Sequence, residues 1–347
     1  MKIVIIKMKK ILYFVFLCLM MACNKQANTS KEETKQDTTS AVPETSYTEY
    51  VNPLMGTDSK FSLSNGNTYP AIAVPWGMHF WTPQTGKMGD GWAYQYHADK
   101  LVGFKQTHQP SPWINDYGAF ALMPVVGNLK IKEDERASWF SHKTETAQPH
   151  YYKVYLADYD TTVEITPTNR AAQFRFTFPE TDKAYLLLDA FFKGSKVQVL
   201  PQERKIIGYA RNNSGGVPEN FHNYFVITFD KDFESVQTWG NGYKLSNKPE
   251  SEGEHTGAVI GFRTKKGEQI TAKVASSFIS PAQALLNLQT ELGNDTFEQT
   301  QQKALALWEA ELGKIQVEDE NIDHLRTFYS CLYRTLLFPR TFYEYDK

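Results

Sequence analysis

The amino-acid sequence predicts a mostly β protein, a large antiparallel β-sandwich followed by helices. Three observations carry this. From Tyr47 to about Ser280 short apolar runs are broken by Gly, Pro, Asn and Asp. Several of these runs alternate strictly, and after Ser280 the period lengthens to that of a helix. A length of 347 residues suits two domains, or one large β domain with an appendage, and 14% aromatic content excludes a disordered chain.

The first element is an export signal. Lys2, Lys7, Lys9 and Lys10 precede an apolar run from Ile11 to Ala22 that is too short to span a bilayer of about 30 Å. It ends Leu19-Met20-Met21-Ala22-Cys23, which resembles a bacterial lipobox, so Cys23 is expected to carry lipid and to start the mature chain. From Asn24 to about Ser46 the composition is Lys, Glu, Thr, Ser and Gln, too polar to offset its ordering entropy, and reads as a tether.

Strands follow at Tyr151 to Leu156, Thr162 to Thr166, Gln173 to Phe178, Tyr185 to Asp189, Tyr224 to Phe229 and Ile270 to Ala275. The spacing of the turn signals between them is that of a sandwich. Alternation puts Phe174, Phe176 and Phe178 on one face, predicting one packed and one wet sheet face. Asp158, Asp160 and Glu164 read as surface charges in this pattern.

Pro281 to Leu292 predicts a first helix with Leu285, Leu288 and Leu292 apolar. A second starts with a cap near Asp295 and carries Ala304, Leu307, Trp308 and Leu312 as its stripe. A third runs from Leu325 to Leu337. Its Leu325, Phe328, Tyr329, Leu332, Tyr333 and Leu336 spread too widely for a one-faced helix, so it is expected to lack partners within the chain, leaving Phe328, Leu332 and Leu336 as an exposed patch.

Composition excludes several function classes. The formal charge of −2 grows more negative once the four lysines ahead of Cys23 are set aside, so no footprint for nucleic acid exists. Cys18, Cys23 and Cys331 are too few and scattered for a disulfide framework or a Cys-based zinc site, and the histidines show no ligand spacing, so no metal ligand is assigned.

Gly, Pro and aromatic residues concentrate in Tyr50-Val-Asn-Pro-Leu-Met-Gly-Thr57, Gly66-Asn-Thr-Tyr-Pro-Ala-Ile-Ala-Val-Pro-Trp-Gly-Met78, Gly103-Phe-Lys-Gln-Thr-His108 and Asp116-Tyr-Gly118. Gly66 and Asn67 suit a turn. Together with Ser277-Phe-Ile-Ser280, Trp308 and Phe328-Tyr-Ser-Cys-Leu-Tyr-Arg-Thr-Leu-Leu-Phe-Pro339, these blocks resemble the amino-terminal portion of glycoside hydrolase family 92, from about Tyr50 to Asp346.

The resemblance implies a bacterial, calcium-dependent, exo-acting α-mannosidase that joins a β-sandwich to an (α/α)6 barrel through linker helices. It divides the chain into a lipoprotein signal peptide (1–22), a disordered tether (23–46), the β-sandwich (47–280), a helical linker (281–316) and the first helix of a truncated barrel (317–347). An inverting glycosidase needs an acid and a base about 6.5 to 9.5 Å apart. The resemblance places both, and most Ca2+ ligands, beyond Lys347, so no catalytic residue is assigned and the chain alone is expected to be inactive.

Five residues are candidates for substrate binding. Trp92 has the ring to stack on a sugar face, with a sandwich-core aromatic as the alternative. His108 has the chemistry to meet a mannose hydroxyl or to serve structurally. Trp113 and Asp116 lie in the Pro-rich loop Pro110 to Tyr117, where binding groups usually sit, although a solvated loop is the default. Asp346 stands where the resemblance has an acidic residue near bound mannose, against a reading as an exposed terminal charge. The expected partners are α-mannoside glycans and, through Cys23, a membrane, in the periplasm or at the cell surface. A non-catalytic mannan-binding lipoprotein, or a sandwich of unrelated function, are the competing readings.

Overall fold

Alternation does what the sequence predicts at the centre of the protein. In the computed structural model, which describes residues 2–4, 46–58, 68–86, 93–109 and 116–346, Phe174, Phe176 and Phe178 are all buried on the inner face of strand Ala171–Phe178. Across the ladder Phe174 stands opposite Ala272 and Ile165, and Phe176 opposite Ile270 and Val163. Apolar side chains thus meet on one face along three strands.

This strand lies in a nine-stranded sheet whose order is Glu250–Gly253, Ser195–Leu200, Lys205–Ala210, Asn223–Phe229, Glu268–Ser277, Ala171–Phe178, Thr161–Pro167, Tyr151–Leu156 and Thr146–Gln148. A seven-stranded sheet faces it, in the order Leu245–Ser246, Ser235–Trp239, Gly257–Thr264, Thr181–Asp189, Ala121–Val126, Gly103–Thr107 and Phe80–Gln84. Every pairing is antiparallel. Aromatic rings lock the sheets together: Trp81 meets Phe174 edge-on at 4.8 Å, Phe120 lies 4.6 Å from Phe225 and Phe229 lies 6.1 Å from Phe262. Lys2–Val4 pairs with Gln316–Glu318. The rest of the expected export signal and tether, Cys23 included, lies outside the described residues, as do Gly66 and Asn67.

The other face of the nine-stranded sheet is not wet, contrary to the alternation. Four α-helices occur among the described residues: α1 (Glu133–Arg136), α2 (Pro281–Glu291), α3 (Phe297–Leu312) and α4 (Ile322–Thr335). Ala284, Leu288 and Leu292, on α2 and at its end, pack with Ala171, Val226 and Ala275 in a second apolar cluster. Gln173, read as a solvent-facing residue, is buried and donates to Thr300 Oγ1 of α3 at 2.7 Å. Glu164 is likewise buried rather than superficial: Arg175 grips it with two hydrogen bonds of 2.7 and 2.8 Å, and Tyr151 donates a third at 2.6 Å.

The helix starts follow capping chemistry. Ser280 Oγ accepts the N–H of Gln283 ahead of Pro281. Thr296 and Gln299 form a capping box, so the cap lies one residue after Asp295, which instead pairs with Lys303.

Helix α4 has the partners that its sequence appeared to lack. Leu325, Tyr329, Tyr333 and Leu337 recur every four residues and are buried as one stripe. The segment just before the first sheet supplies the facing surface: the rings of Tyr47 and Tyr50 lie 5.4 and 5.5 Å from Tyr329. Glu309 of α3 fixes that segment by accepting from Ser46 Oγ (2.8 Å), the Tyr47 N–H (2.8 Å), the Thr48 N–H (3.0 Å) and Thr48 Oγ1 (2.6 Å). Phe328, Leu332 and Leu336 are half-buried against the main core, so they do not form the expected exposed patch. Sandwich and helices share one core.

A second buried charge cluster has no counterpart in the sequence reading. Asp189 ends its strand between Arg136 and His255: Arg136 Nη1 donates to Oδ2 at 2.8 Å and His255 Nε2 donates to Oδ1 at 2.7 Å. All three side chains are essentially closed to solvent. Arg136 also donates to the carbonyls of Val102 and Ile131, at 2.8 Å each, so it ties α1 to the seven-stranded sheet.

Candidate functional site

Strand Gly103–Thr107 runs out at His108, and the chain returns at Asp116 to begin the next strand. Asp116 staples the two ends. Its Oδ1 accepts the N–H of His108 at 2.9 Å and of Tyr117 at 2.8 Å, and its Oδ2 lies 3.3 Å from Lys105 Nζ. Burial pushes the Asp116 carboxyl up, but the Lys105 ammonium and the hydrogen bonds around it outweigh burial and hold the group well below the carboxylate range. Asp116 is therefore a buried ion-pair partner and not the solvated loop residue that its surroundings in the sequence suggested.

His108 is fully enclosed. Its Nδ1 donates to the Tyr117 carbonyl at 2.7 Å, which fixes the neutral tautomer and leaves a lone pair on Nε2. Burial lowers its pKa, so the ring is neutral at pH 7. Its Nε2 meets no hydrogen-bond partner among the described residues. Tyr117 stacks on one face of the ring at 5.0 Å and Phe278 packs at 5.4 Å. His79 approaches edge-on at 6.2 Å, and burial and the neighbouring His108 hold its pKa well below the imidazole value.

The chain after α4 crosses this end of the sandwich. Arg340 donates to the Met78 carbonyl at 3.3 Å and to the Tyr117 hydroxyl, with its guanidinium 4.9 Å from the Phe342 ring. Arg170 holds the next stretch. It donates from Nε (3.0 Å) and Nη2 (2.7 Å) to the Tyr343 carbonyl, and from Nη1 to Glu291 at 2.8 Å. The Glu344 carboxylate accepts the Phe278 N–H at 2.9 Å and Asn287 Nδ2 at 2.8 Å. Gln283 Nε2 donates to the Tyr345 carbonyl at 2.9 Å. Asp346 follows directly and is exposed.

Of the five sequence candidates, His108 and Asp116 are in contact with each other. Asp346 lies two residues beyond Glu344, which holds Phe278 and through it the face of His108. Trp92 and Trp113 lie outside the described residues. Sequence reasoning missed Lys105, Arg170, Glu291 and Arg340, which do the positioning. Arg340 follows Pro339 with no local pattern, and Arg170 sits in a turn, so their roles arise only from contacts more than a hundred residues away.

Among the described residues no three His, Cys, Asp or Glu side chains converge on a point that would hold a metal ion. The described carboxylates at this end are engaged or exposed: Asp116, Glu291 and Glu344 are each held by donors, and Asp346 is exposed.

The arrangement has counterparts in known proteins. The sequence matches the Glycosyl hydrolase family 92 N-terminal domain over residues 50–277 and the Glycosyl hydrolase family 92 catalytic domain over residues 283–347. An inverting mannosidase of family GH92 from Bacteroides thetaiotaomicron VPI-5482 is similar at 46% identity and a TM-score of 0.84, over 87% of this chain and 41% of that one. A family GH92 α-mannosidase from the same species is similar at 32% identity and a TM-score of 0.77, over 87% of this chain and 42% of that one. The structure of that second enzyme in complex with mannoimidazole matches with the same identity and TM-score. The chain thus spans about two fifths of the length of the structures it matches. A comparison with curated proteins finds no match. Because the N-terminal domain match alone takes in most of the sequence, and the fold follows that of these mannosidases, the chain belongs to glycosyl hydrolase family 92.

Proposed function

We propose that the chain is the amino-terminal part of an exported, exo-acting α-mannosidase that hydrolyses α-mannosides with inversion. The observation that carries this is the 46% identity, over 87% of this chain, to an inverting mannosidase. In this reading the end of the sandwich forms one wall of the mannoside pocket. Trp92 and Trp113 offer aromatic faces to the sugar, and Asp346 accepts from a sugar hydroxyl. His108 and Asp116 act by holding each other in place at this end of the sandwich, because both are buried and Asp116 already accepts two backbone N–H groups and pairs with Lys105. Arg170 and Arg340 hold the segment that leads to Asp346. The acid and base belong to the catalytic domain whose match begins at residue 283.

The test uses the protein extended to its natural carboxyl terminus and a fluorophenyl α-mannoside. Inversion predicts β-mannose as the first anomer seen by NMR. Release of α-mannose first, or no release at all, overturns the assignment.

Export carries its own prediction. Leu19 to Cys23 resembles a lipobox, so metabolic labelling with palmitate is expected to mark the wild-type protein and not Cys23→Ser. Label retained by the variant, or absent from both, removes the lipid anchor from the proposal.

A further inference from the structure

Trp76 is held in an unfavourable backbone conformation away from the sandwich core. Its φ of 53° lies in the left-handed region, which a bulky side chain rarely enters. The surroundings hold it there from two sides. Its N–H donates to the Leu336 carbonyl at the end of α4 at 2.8 Å, and its carbonyl accepts the Thr341 N–H at 2.9 Å. Trp81, Trp239 and Trp308 fill the core, but the half-buried Trp76 joins none of the apolar clusters.

Trp76 instead lines a groove of about 320 Å³ between the sandwich loops and α3, while Lys314, which does not line it, holds its Nζ 5.9 Å from the ring centre. Leu307, 51% exposed, and Tyr345 complete its apolar lining, while Asn169, Thr300 and Lys303 supply hydrogen-bonding groups. The charges around it are already paired: Lys303 with Asp295, Glu311 with Lys314 and Glu291 with Arg170. With its charges matched in pairs the groove carries little net charge, which suits a neutral ligand. Its volume is at the lower end for a small-molecule site, roughly 300 to 1,000 Å³. A dimer seam needs about 800 Å² on each partner, far more than so small a groove presents.

An aromatic wall beside hydrogen-bonding groups whose charges are matched in pairs is the complement of a pyranose, which has an apolar C–H face and a ring of hydroxyls. We propose that the Trp76 groove is a second, non-catalytic binding site for a neutral hexopyranoside, seated with its apolar face on the indole. The proposal is independent of the role given to His108, Asp116 and Arg340, none of which lines the groove.

The seven tryptophan indole N–H signals offer a direct readout. Titration of the 347-residue chain with methyl α-mannopyranoside is expected to shift the Trp76 signal saturably at millimolar concentration. Mannitol, which has hydroxyls but no ring face, is expected to leave it unmoved. Trp76→Gly should weaken binding, followed by saturation-transfer NMR, at least tenfold without lowering the melting temperature, since glycine accepts a positive φ. Leu307→Glu, on an exposed helix face, should weaken binding with the fold intact and serves if the glycine variant does not fold. Binding lost in Arg340→Ala but kept in both groove variants would place the sugar at the His108 end and overturn the groove, leaving the mannosidase assignment standing. An unmoved Trp76 signal, an equal response to mannitol, or a concentration-dependent dimer that abolishes the response would overturn it as well.

Discussion

Asp189→Ala is expected to destabilise the protein by about 3–5 kcal/mol, the cost of leaving one partner of a buried ion pair alone. The stranded group is Arg136, whose guanidinium has no route to water. It would keep the carbonyls of Val102 and Ile131 and the more distant Glu133 carboxylate at 4.0 Å, but lose the 2.8 Å bond to its buried partner, and His255 Nε2 would lose its acceptor at the same time. For a domain of this size the melting temperature should fall by roughly 10 °C. Burial pushes the Asp189 carboxyl up, but Arg136 and His255 outweigh it, so its folded pKa lies below the unfolded value of about 3.9. A depressed carboxyl stabilises fully above its unfolded pKa and loses that contribution as the pH falls through the folded one. The gap between wild type and variant should therefore be constant near neutrality and narrow below about pH 4. Replacing both partners, Arg136→Met with Asp189→Leu, should restore a good part of the loss. Equal melting temperatures for wild type and Asp189→Ala at pH 7 would show that the cluster carries no such energy.

Such clusters mark the limit of what the sequence makes legible. The Phe174, Phe176 and Phe178 alternation is a local signal with a local cause, since side chains two apart share a sheet face. The helix caps are equally local, and the sequence locates them to within one residue. Burial of Gln173 and Glu164 depends on α3, which lies more than a hundred residues further along. Nothing near either residue announces a cover, so a polar residue in an alternating strand reads as wet. Helix α4 misled for the converse reason. Its aromatic residues were counted around the helix without Tyr47, Tyr50 and Trp308, which receive them from the start of the domain and from α3.

The end of the sandwich was legible in part. Gly103 to His108 and Asp116 to Gly118 stand out as blocks, and the structure joins them through the two backbone N–H groups on Asp116. Their burial was not legible, because it comes from Lys105, Phe278 and the returning segment at Arg340. Lys105 shows how a strand hides a charge. It sits opposite Ala121, in register for the seven-stranded sheet, and reaches Asp116 without meeting water. A lysine in a strand reads as an exposed edge until its partner is known.

The 347-residue chain by itself is expected to release no mannose from aryl α-mannosides or mannobiose. Glycoside hydrolysis by inversion asks for a proton donor at the leaving oxygen and a base that activates water across the ring, about 6.5 to 9.5 Å away. The described carboxylates at the sandwich end offer neither in a free state. Asp116 is ionised and paired with Lys105, so it holds no proton to give. Glu291 is spent on Arg170, Thr168 and the Arg170 N–H, and Glu344 on Phe278 and Asn287. That leaves Asp346, which is exposed. A single group has at most half of the work available, and acid or base action contributes about 10² to 10⁴-fold each. An open surface also leaves a sugar largely hydrated, whereas a formed pocket buries about 70% or more of its ligand. Calcium added to the assay should change nothing, since no three described His, Cys, Asp or Glu side chains converge to hold it. The measurement is mannose release by purified chain with calcium present, alongside Asp346→Asn prepared identically. Turnover in the wild-type chain that the substitution abolishes would mean that Asp346 has a catalytic partner within these 347 residues, and the division of labour proposed between sandwich and catalytic domain would be wrong.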